Sequence, residues 1–152
     1  MRKAFGLLAL MVATVSTMAG NDDKKAPPSL DRTYLMIGVE KGGEKLPGES
    51  ISMLSEEFRT YILKGDKLTP PGMGKAQEPV TVKIDSSRTP PEITTTEKKD
   101  GKTETSFGIY KLEGDILAIC IVQSDKEDDR PKEFKSPKDS KTIILTLKKK
   151  DK

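Results

Sequence analysis

The sequence predicts an all-β domain of about eight antiparallel strands, closed into an up-and-down barrel, with one short helix. Short β-rich runs separated by turn residues at near-regular spacing fill the chain after residue 30, a pattern typical of barrels and sandwiches. Val80, Val82 and Ile84 alternate with polar residues, as in a half-buried strand. No stretch has a βαβ rhythm. A closed barrel is favoured over a sandwich because closure removes exposed strand edges.

The strand runs can be placed individually. In the first, Leu35, Ile37 and Val39 are expected on the core face. The predicted strands include 33–40, 59–64, 80–85, 93–97, 105–112, 116–122 and 142–147.

Turns and the helix follow from local chemistry. Tight reversals are predicted at Lys64-Gly65-Asp66-Lys67, Asp100-Gly101 and Glu113-Gly114-Asp115, because glycine adopts positive φ without steric cost. Apolar residues recur at spacings of three and four between Ile51 and Phe58, which predicts a short helix there.

The N-terminus predicts export. Residues 1–19 have a basic start, an uncharged apolar run and small residues at Thr17 and Ala19, as in a signal peptide cleaved after Ala19. The apolar run is shorter than the roughly 20 residues that a membrane span needs, which disfavours an uncleaved anchor. Residues 20–29 are polar, contain Pro27-Pro28, and read as a disordered linker. The folded domain is expected over 30–149, in the periplasm or outside the cell.

The charge pattern gives no electrostatic footprint for nucleic acid. The formal net charge is +3, and two of the positive charges lie in the signal peptide. Acidic and basic residues are interspersed, as on a solvated surface. The run Lys148-Lys149-Lys150 is interpreted as a solvated strand end rather than a membrane-surface contact.

The chain lacks the usual groups for catalysis. It has no histidine, which removes the commonest general base, the commonest metal ligand and any Ser-His or Cys-His pair. Cys120, the one cysteine, lies in the apolar run 117–122 and is expected to be a buried and inert thiol.

Other candidate sites are weak. The acidic run Asp125 to Asp129 lacks the Gly turn and distal Glu of a calcium loop. Gly72-Met73-Gly74-Lys75 is followed by alanine where a phosphate loop needs Ser or Thr. Aspartate and glutamate number 24, yet nothing singles out a catalytic pair for a carboxylate-based hydrolase. The sequence therefore assigns no catalytic residue, metal ligand or cofactor.

Four segments in order resemble a family of uncharacterised exported lipocalin-like domains best known from planctomycete bacteria. They are Leu30 to Tyr34, Leu63 to Thr69, Gly108 to Cys120, and Arg130 to Phe134 followed by a Lys-rich turn and the last strand. Arg32 and Tyr34 stand where the family has Gly and Trp, a departure at the closed end of a lipocalin. The resemblance implies a lipocalin-like barrel with one open end and supplies no catalytic residue.

Three functions follow as hypotheses. The first is a non-catalytic domain that binds a small apolar ligand, since an eight-stranded barrel can hold one. The second is a domain that binds an envelope or extracellular protein, or a surface polymer. The third is the carboxylate-based hydrolase. Neither nucleic acid nor a membrane span after cleavage is expected.

Overall fold

The computed structural model describes residues 28–72 and 77–151, and these form a closed antiparallel barrel of eight strands with one additional strand. The predicted fold class is confirmed. The strands are β1 (Arg32–Lys41), β2 (Glu44–Lys45), β3 (Thr60–Lys64), β4 (Lys67–Thr69), β5 (Val80–Asp85), β6 (Glu92–Lys99), β7 (Lys102–Glu113), β8 (Ile116–Gln123) and β9 (Ile143–Lys149). The helices are α1 (Gly48–Ser52) and the 3₁₀ turns Glu56–Phe58 and Glu127–Asp129.

The strand order follows the chain. Consecutive strands from β3 to β9 pair with one another. On its other side β3 pairs with β1, and the β1–β9 pairing closes the barrel. The short β2 pairs only with the end of β1. The end of the barrel at which β1, β6 and β8 finish is called the upper end below, and the opposite end is the lower end.

Three two-residue turns fix the register of three hairpins. Gly65 and Gly114 have φ of +58° and +60°. Asp100 and Gly101 have φ of +51° and +76°, so both central residues adopt the left-handed conformation that a type I′ hairpin turn requires. The turns predicted from these residues are confirmed.

The predicted core face of β1 is wrong over its first half. Tyr34 faces the interior and is 1% exposed, whereas Ile37 is 39% exposed. An irregularity between Met36 and Gly38 shifts the register against β9 by one residue. Val39 therefore pairs with Leu145, which packs against the core cluster, although Val39 lies an odd number of positions from Tyr34. A bulge of this kind reverses side-chain alternation, and the sequence pattern does not reveal it.

The helix predicted over Ile51 to Phe58 is two separate turns. The α-helix runs from Gly48 to Ser52, and only Ile51 is buried on it. Extended backbone at Ser55 separates it from the 3₁₀ turn that ends at Phe58. The three-and-four spacing of apolar residues therefore spans a break.

The predicted signal peptide, nearly all of the predicted linker, and residues 73–76 of the glycine-rich turn lie outside the described residues. Within the described ranges, no helix combines the length and the apolar character that crossing a membrane would demand.

Candidate functional site

The lower half of the barrel interior is filled by side chains. Inward-facing residues from almost every strand pack into one cluster with Leu30, which precedes β1. Its buried members are Leu30, Tyr34, Leu63, Val82, Ile93, Tyr110, Leu117, Ile119 and Leu147. This part of the interior stabilises the fold by burying apolar surface.

Tyr34 helps to close the lower end. Its hydroxyl donates a hydrogen bond to the Leu30 carbonyl oxygen at 3.0 Å, which fixes the incoming chain against the interior. Burial raises the pKa of the Tyr34 hydroxyl. A phenol that forms a hydrogen bond to the backbone thus lies at the lower end of the interior.

Partly buried apolar side chains flank the cluster toward both ends of the barrel: Ile84 and Leu112 lie toward the lower end, and five others lie toward the upper end. Met36, Tyr61, Leu68, Ile121 and Leu145 pack against the cluster but are only partly buried. They come from five strands and form an apolar wall. Solvent therefore reaches apolar side chains that face into the barrel at its upper end.

A polar sector completes this upper wall. Thr95 on β6 pairs directly with Ser106 on β7, and Ser106 pairs with Gln123 on β8. Thr95 lies opposite Val82 of the buried cluster, so this row faces inward. The upper interior therefore has hydroxyl groups on one side and apolar side chains on the other.

The hydroxyl groups of this end are not used by the protein. Among the described residues, neither Thr95 nor Ser106 forms a side-chain hydrogen bond, and both side chains are half-buried. Tyr61 also lacks a hydrogen-bond partner within the described ranges, and burial raises the pKa of its hydroxyl. Since buried polar groups in proteins normally have partners, these groups are open to water or to a ligand.

A second layer covers part of the barrel's outer face. The segment between β8 and β9 lies over outward side chains of β7 and β8, and Arg130 anchors it. The Arg130 guanidinium donates to the carbonyl oxygens of Ile93 (3.0 Å) and Gly108 (2.8 Å), and its Cζ lies 5.3 Å from the centre of the Phe107 ring. The side chain is only 10% exposed.

Cys120 lies under this segment and not in the barrel interior. It pairs with Ile109, and the two side chains, 0% and 1% exposed, point outward. The Cys120 Sγ lies 3.6 Å and 3.8 Å from the carbonyl oxygens of Glu133 and Lys135. Burial raises the pKa of the thiol, as the apolar sequence context predicts.

The two larger of three open concavities in the described residues lie on the outer surface. One, of about 730 Å³, lies beside Thr103 and Asp129. The other, of about 780 Å³, lies beside Pro90 and Arg130. Both have mixed polar and apolar linings, and neither is lined by a residue of the interior cluster.

The acidic run does not form an ion site. Glu127 forms an ion pair with Arg130 at 3.0 Å, and Asp129 accepts a hydrogen bond from the Ser124 hydroxyl. Over residues 28–72 and 77–151, no three carboxylate or thiol groups are arranged to hold a metal ion.

Comparison of the chain with protein-family models, with curated proteins and with solved structures finds no match.

Sequence reasoning missed the most informative residues of the upper interior and of the outer layer. Thr95 and Ser106 belong to strands that were predicted, but their facing position depends on the β6–β7 register. The role of Arg130 depends on the path of a long connection. A basic residue isolated before Pro131 in a charged loop was the only signal in the sequence.

Proposed function

We propose that this protein is an exported, non-catalytic, lipocalin-like domain that binds a small apolar ligand at the upper end of its barrel. The observation that supports this proposal is the ring of inward-facing, half-buried apolar residues above the filled cluster, including Leu68, Ile121 and Leu145. Solvent-accessible apolar surface inside a concave site is typical of ligand pockets.

The filled lower half limits the size of the ligand. From buried Ile119 to exposed Gln123, β8 rises four residues, or about 13 Å at the usual rise of a strand. The proposed site is therefore a short cup. A molecule of modest length fits it better than a long lipid chain.

Native mass spectrometry of the protein, purified from the medium or periplasm of an exporting host, tests this proposal. We expect an added mass that disappears on denaturation, and a rise in fluorescence when N-phenyl-1-naphthylamine is added to ligand-free protein. Thr95→Phe should fill the site and abolish both signals, whereas Thr96→Phe, on the outer face of the same strand, should retain them. A bare chain that also fails to bind the dye would refute the proposal.

The export part of the proposal has its own test. The intact mass of the protein recovered outside the cytoplasm should correspond to a chain that begins at Gly20, because cleavage is expected after Ala19. Retention of residues 1–19, or recovery only from the cytoplasm, would contradict export by a cleaved signal peptide.

A second candidate function, binding to an envelope or extracellular protein, is favoured by a different observation. Among the described residues, the large apolar side chains that are exposed all lie between positions 37 and 62, and Met53 is 87% exposed. The others are Ile37, Leu46, Leu54 and Ile62. All five come from β1, β3 and the segment that connects these paired strands, and exposed apolar residues that form a surface patch are typical of interaction sites.

Site-specific cross-linking in the envelope of the host tests the second candidate. A photoreactive residue at position 53 should capture one defined protein, and a photoreactive residue at exposed position 98 should not. Met53→Lys, combined with a photoreactive residue at position 54, should reduce the yield. Equal capture from positions 53 and 98 would refute a specific interface.

A further inference from the structure

Arg59 lies at the upper end of the barrel, beside the apolar wall. Its carbonyl oxygen accepts a hydrogen bond from the Met36 N–H at 2.8 Å, which places Arg59 next to β1 at the point where β3 begins. Met36 belongs to the apolar wall, and so does Tyr61, which follows Arg59 by two positions. Arg59 therefore adjoins the proposed ligand site.

The side chain of Arg59 is partly buried and lacks a partner. Its Nε is buried and forms no hydrogen bond with a described residue. Within residues 28–72 and 77–151, the rest of the guanidinium also takes part in no hydrogen bond and no ion pair. Arginine stays charged in proteins, and a buried donor without a partner costs free energy. The guanidinium can therefore bind an anionic group that enters the upper interior.

The nearby carboxylates do not neutralise Arg59 by contact. Glu56, three positions earlier, is paired with Lys150, which is the main cause of its lowered pKa, and Arg59 contributes a smaller part from a distance. Glu97 and Glu104 pair across β6 and β7 at the same end of the barrel. In the strand order, β4 and β5 separate β6 from β3. An anion at Arg59 would therefore lie on the other side of the barrel mouth from these two glutamates.

The remaining charges at the mouth favour a singly charged head. Lys99 and Lys102 follow Glu97 and Glu104 on the same face of the β6–β7 hairpin, so these four charges cancel in sum. The single guanidinium of Arg59 then matches a single negative charge. A planar carboxylate accepts two parallel hydrogen bonds from a guanidinium, an arrangement that adds both energy and geometric specificity.

We infer that the ligand is a short amphiphile whose carboxylate head binds the Arg59 guanidinium. The head lies at the upper end of the barrel, and the tail packs against the apolar wall below it. This inference rests on the proposed ligand-binding function and names the chemical class of the ligand.

A displacement titration at neutral pH, on the protein purified from an exporting host, tests the inference. N-phenyl-1-naphthylamine is the reporter, octanoate is the carboxylate competitor, and 1-octanol is an uncharged competitor of equal chain length. Arg59→Met keeps an apolar stem and removes the charge. In this variant the octanoate concentration required should rise about tenfold or more, as expected for the loss of charge-assisted hydrogen bonds. Dye affinity and competition by 1-octanol should stay nearly unchanged.

Arg88→Met is the matched control. Arg88 follows β5 at the lower end and is 66% exposed, so its replacement should leave every titration unchanged. Failure of the dye to bind the wild-type protein would refute the proposed function itself. If the dye binds but Arg59→Met weakens octanoate and 1-octanol equally, or weakens neither, ligand binding stands and the role of Arg59 is overturned. Displacement by octyl phosphate at lower concentration than by octanoate would overturn the carboxylate head.

Discussion

Replacing Arg130 by methionine should destabilise the protein strongly because this side chain fastens the outer segment to the barrel. Its guanidinium donates to two backbone carbonyl oxygens and, at 3.0 Å, to the Thr94 hydroxyl. Methionine retains an apolar stem that can pack near Phe107 but removes every hydrogen-bond donor. The variant therefore tests the hydrogen bonds more directly than a truncation to alanine would.

The expected loss of unfolding free energy in Arg130→Met follows from the number and burial of these hydrogen bonds. A hydrogen bond from a charged group contributes about 1.5–3 kcal/mol, and bonds that share one guanidinium are not additive. Arg130 also forms ion pairs with Glu127, which is 71% exposed, and with Glu92, which is 27% exposed and lies 3.6 Å from Nε, and each adds about 0–1 kcal/mol. We expect the free energy of unfolding to fall by about 2–4 kcal/mol in total.

Urea denaturation followed by circular dichroism measures the effect. The midpoint should fall while the slope of the transition stays constant, since the surface exposed on unfolding is unchanged. Arg88→Met is the control: Arg88 is 66% exposed, its Nε lies 3.5 Å from Asp85, and the expected loss is under about 0.5 kcal/mol. If Arg130→Met loses less than about 1 kcal/mol, or no more than the control, the anchoring role of Arg130 is wrong.

Three further predictions concern backbone packing, the thiol and alkaline pH. A Cβ at Gly108 would lie 2.5 Å from the Cys120 carbonyl oxygen, so Gly108→Ala should lower the free energy of unfolding, measured in urea, by about 1–3 kcal/mol. At the control position Gly48, no atom lies within 4 Å of the added Cβ, so Gly48→Ala should not destabilise the protein. Equal losses in the two variants would contradict the steric argument. The buried Cys120 thiol should react with Ellman's reagent only at the rate of unfolding, and fast labelling of native protein would refute its burial. Burial raises the pKa of Tyr61, so the unfolded state loses the hydroxyl proton first, and the free energy of unfolding should fall as pH rises above about 10. Tyr61→Phe should make that decline shallower by up to about 1.4 kcal/mol per pH unit. An unchanged slope would show that Tyr61 does not contribute.

Local chemistry was sufficient to predict seven of the nine described strands and three hairpin turns. Alternation at Val80, Val82 and Ile84 identified a half-buried strand, and Asp100-Gly101 identified a hairpin turn. The apolar surroundings of Cys120 predicted a buried thiol. These features depend on side-chain periodicity and on backbone preferences within a few residues, which a sequence displays directly.

Contacts between distant residues decided the rest. The bulge after Met36 reversed the expected face of β1, because register depends on the partner strand. Cys120 is buried against a returning connection on the outside of the barrel, a location that no local pattern specifies. Thr95 and Ser106 meet only because β6 and β7 pair in one register, and Arg130 reaches Ile93 across 37 positions of sequence. The sequence by itself therefore determined the strands and turns, whereas tertiary packing decided which side chains face the interior and what they can bind.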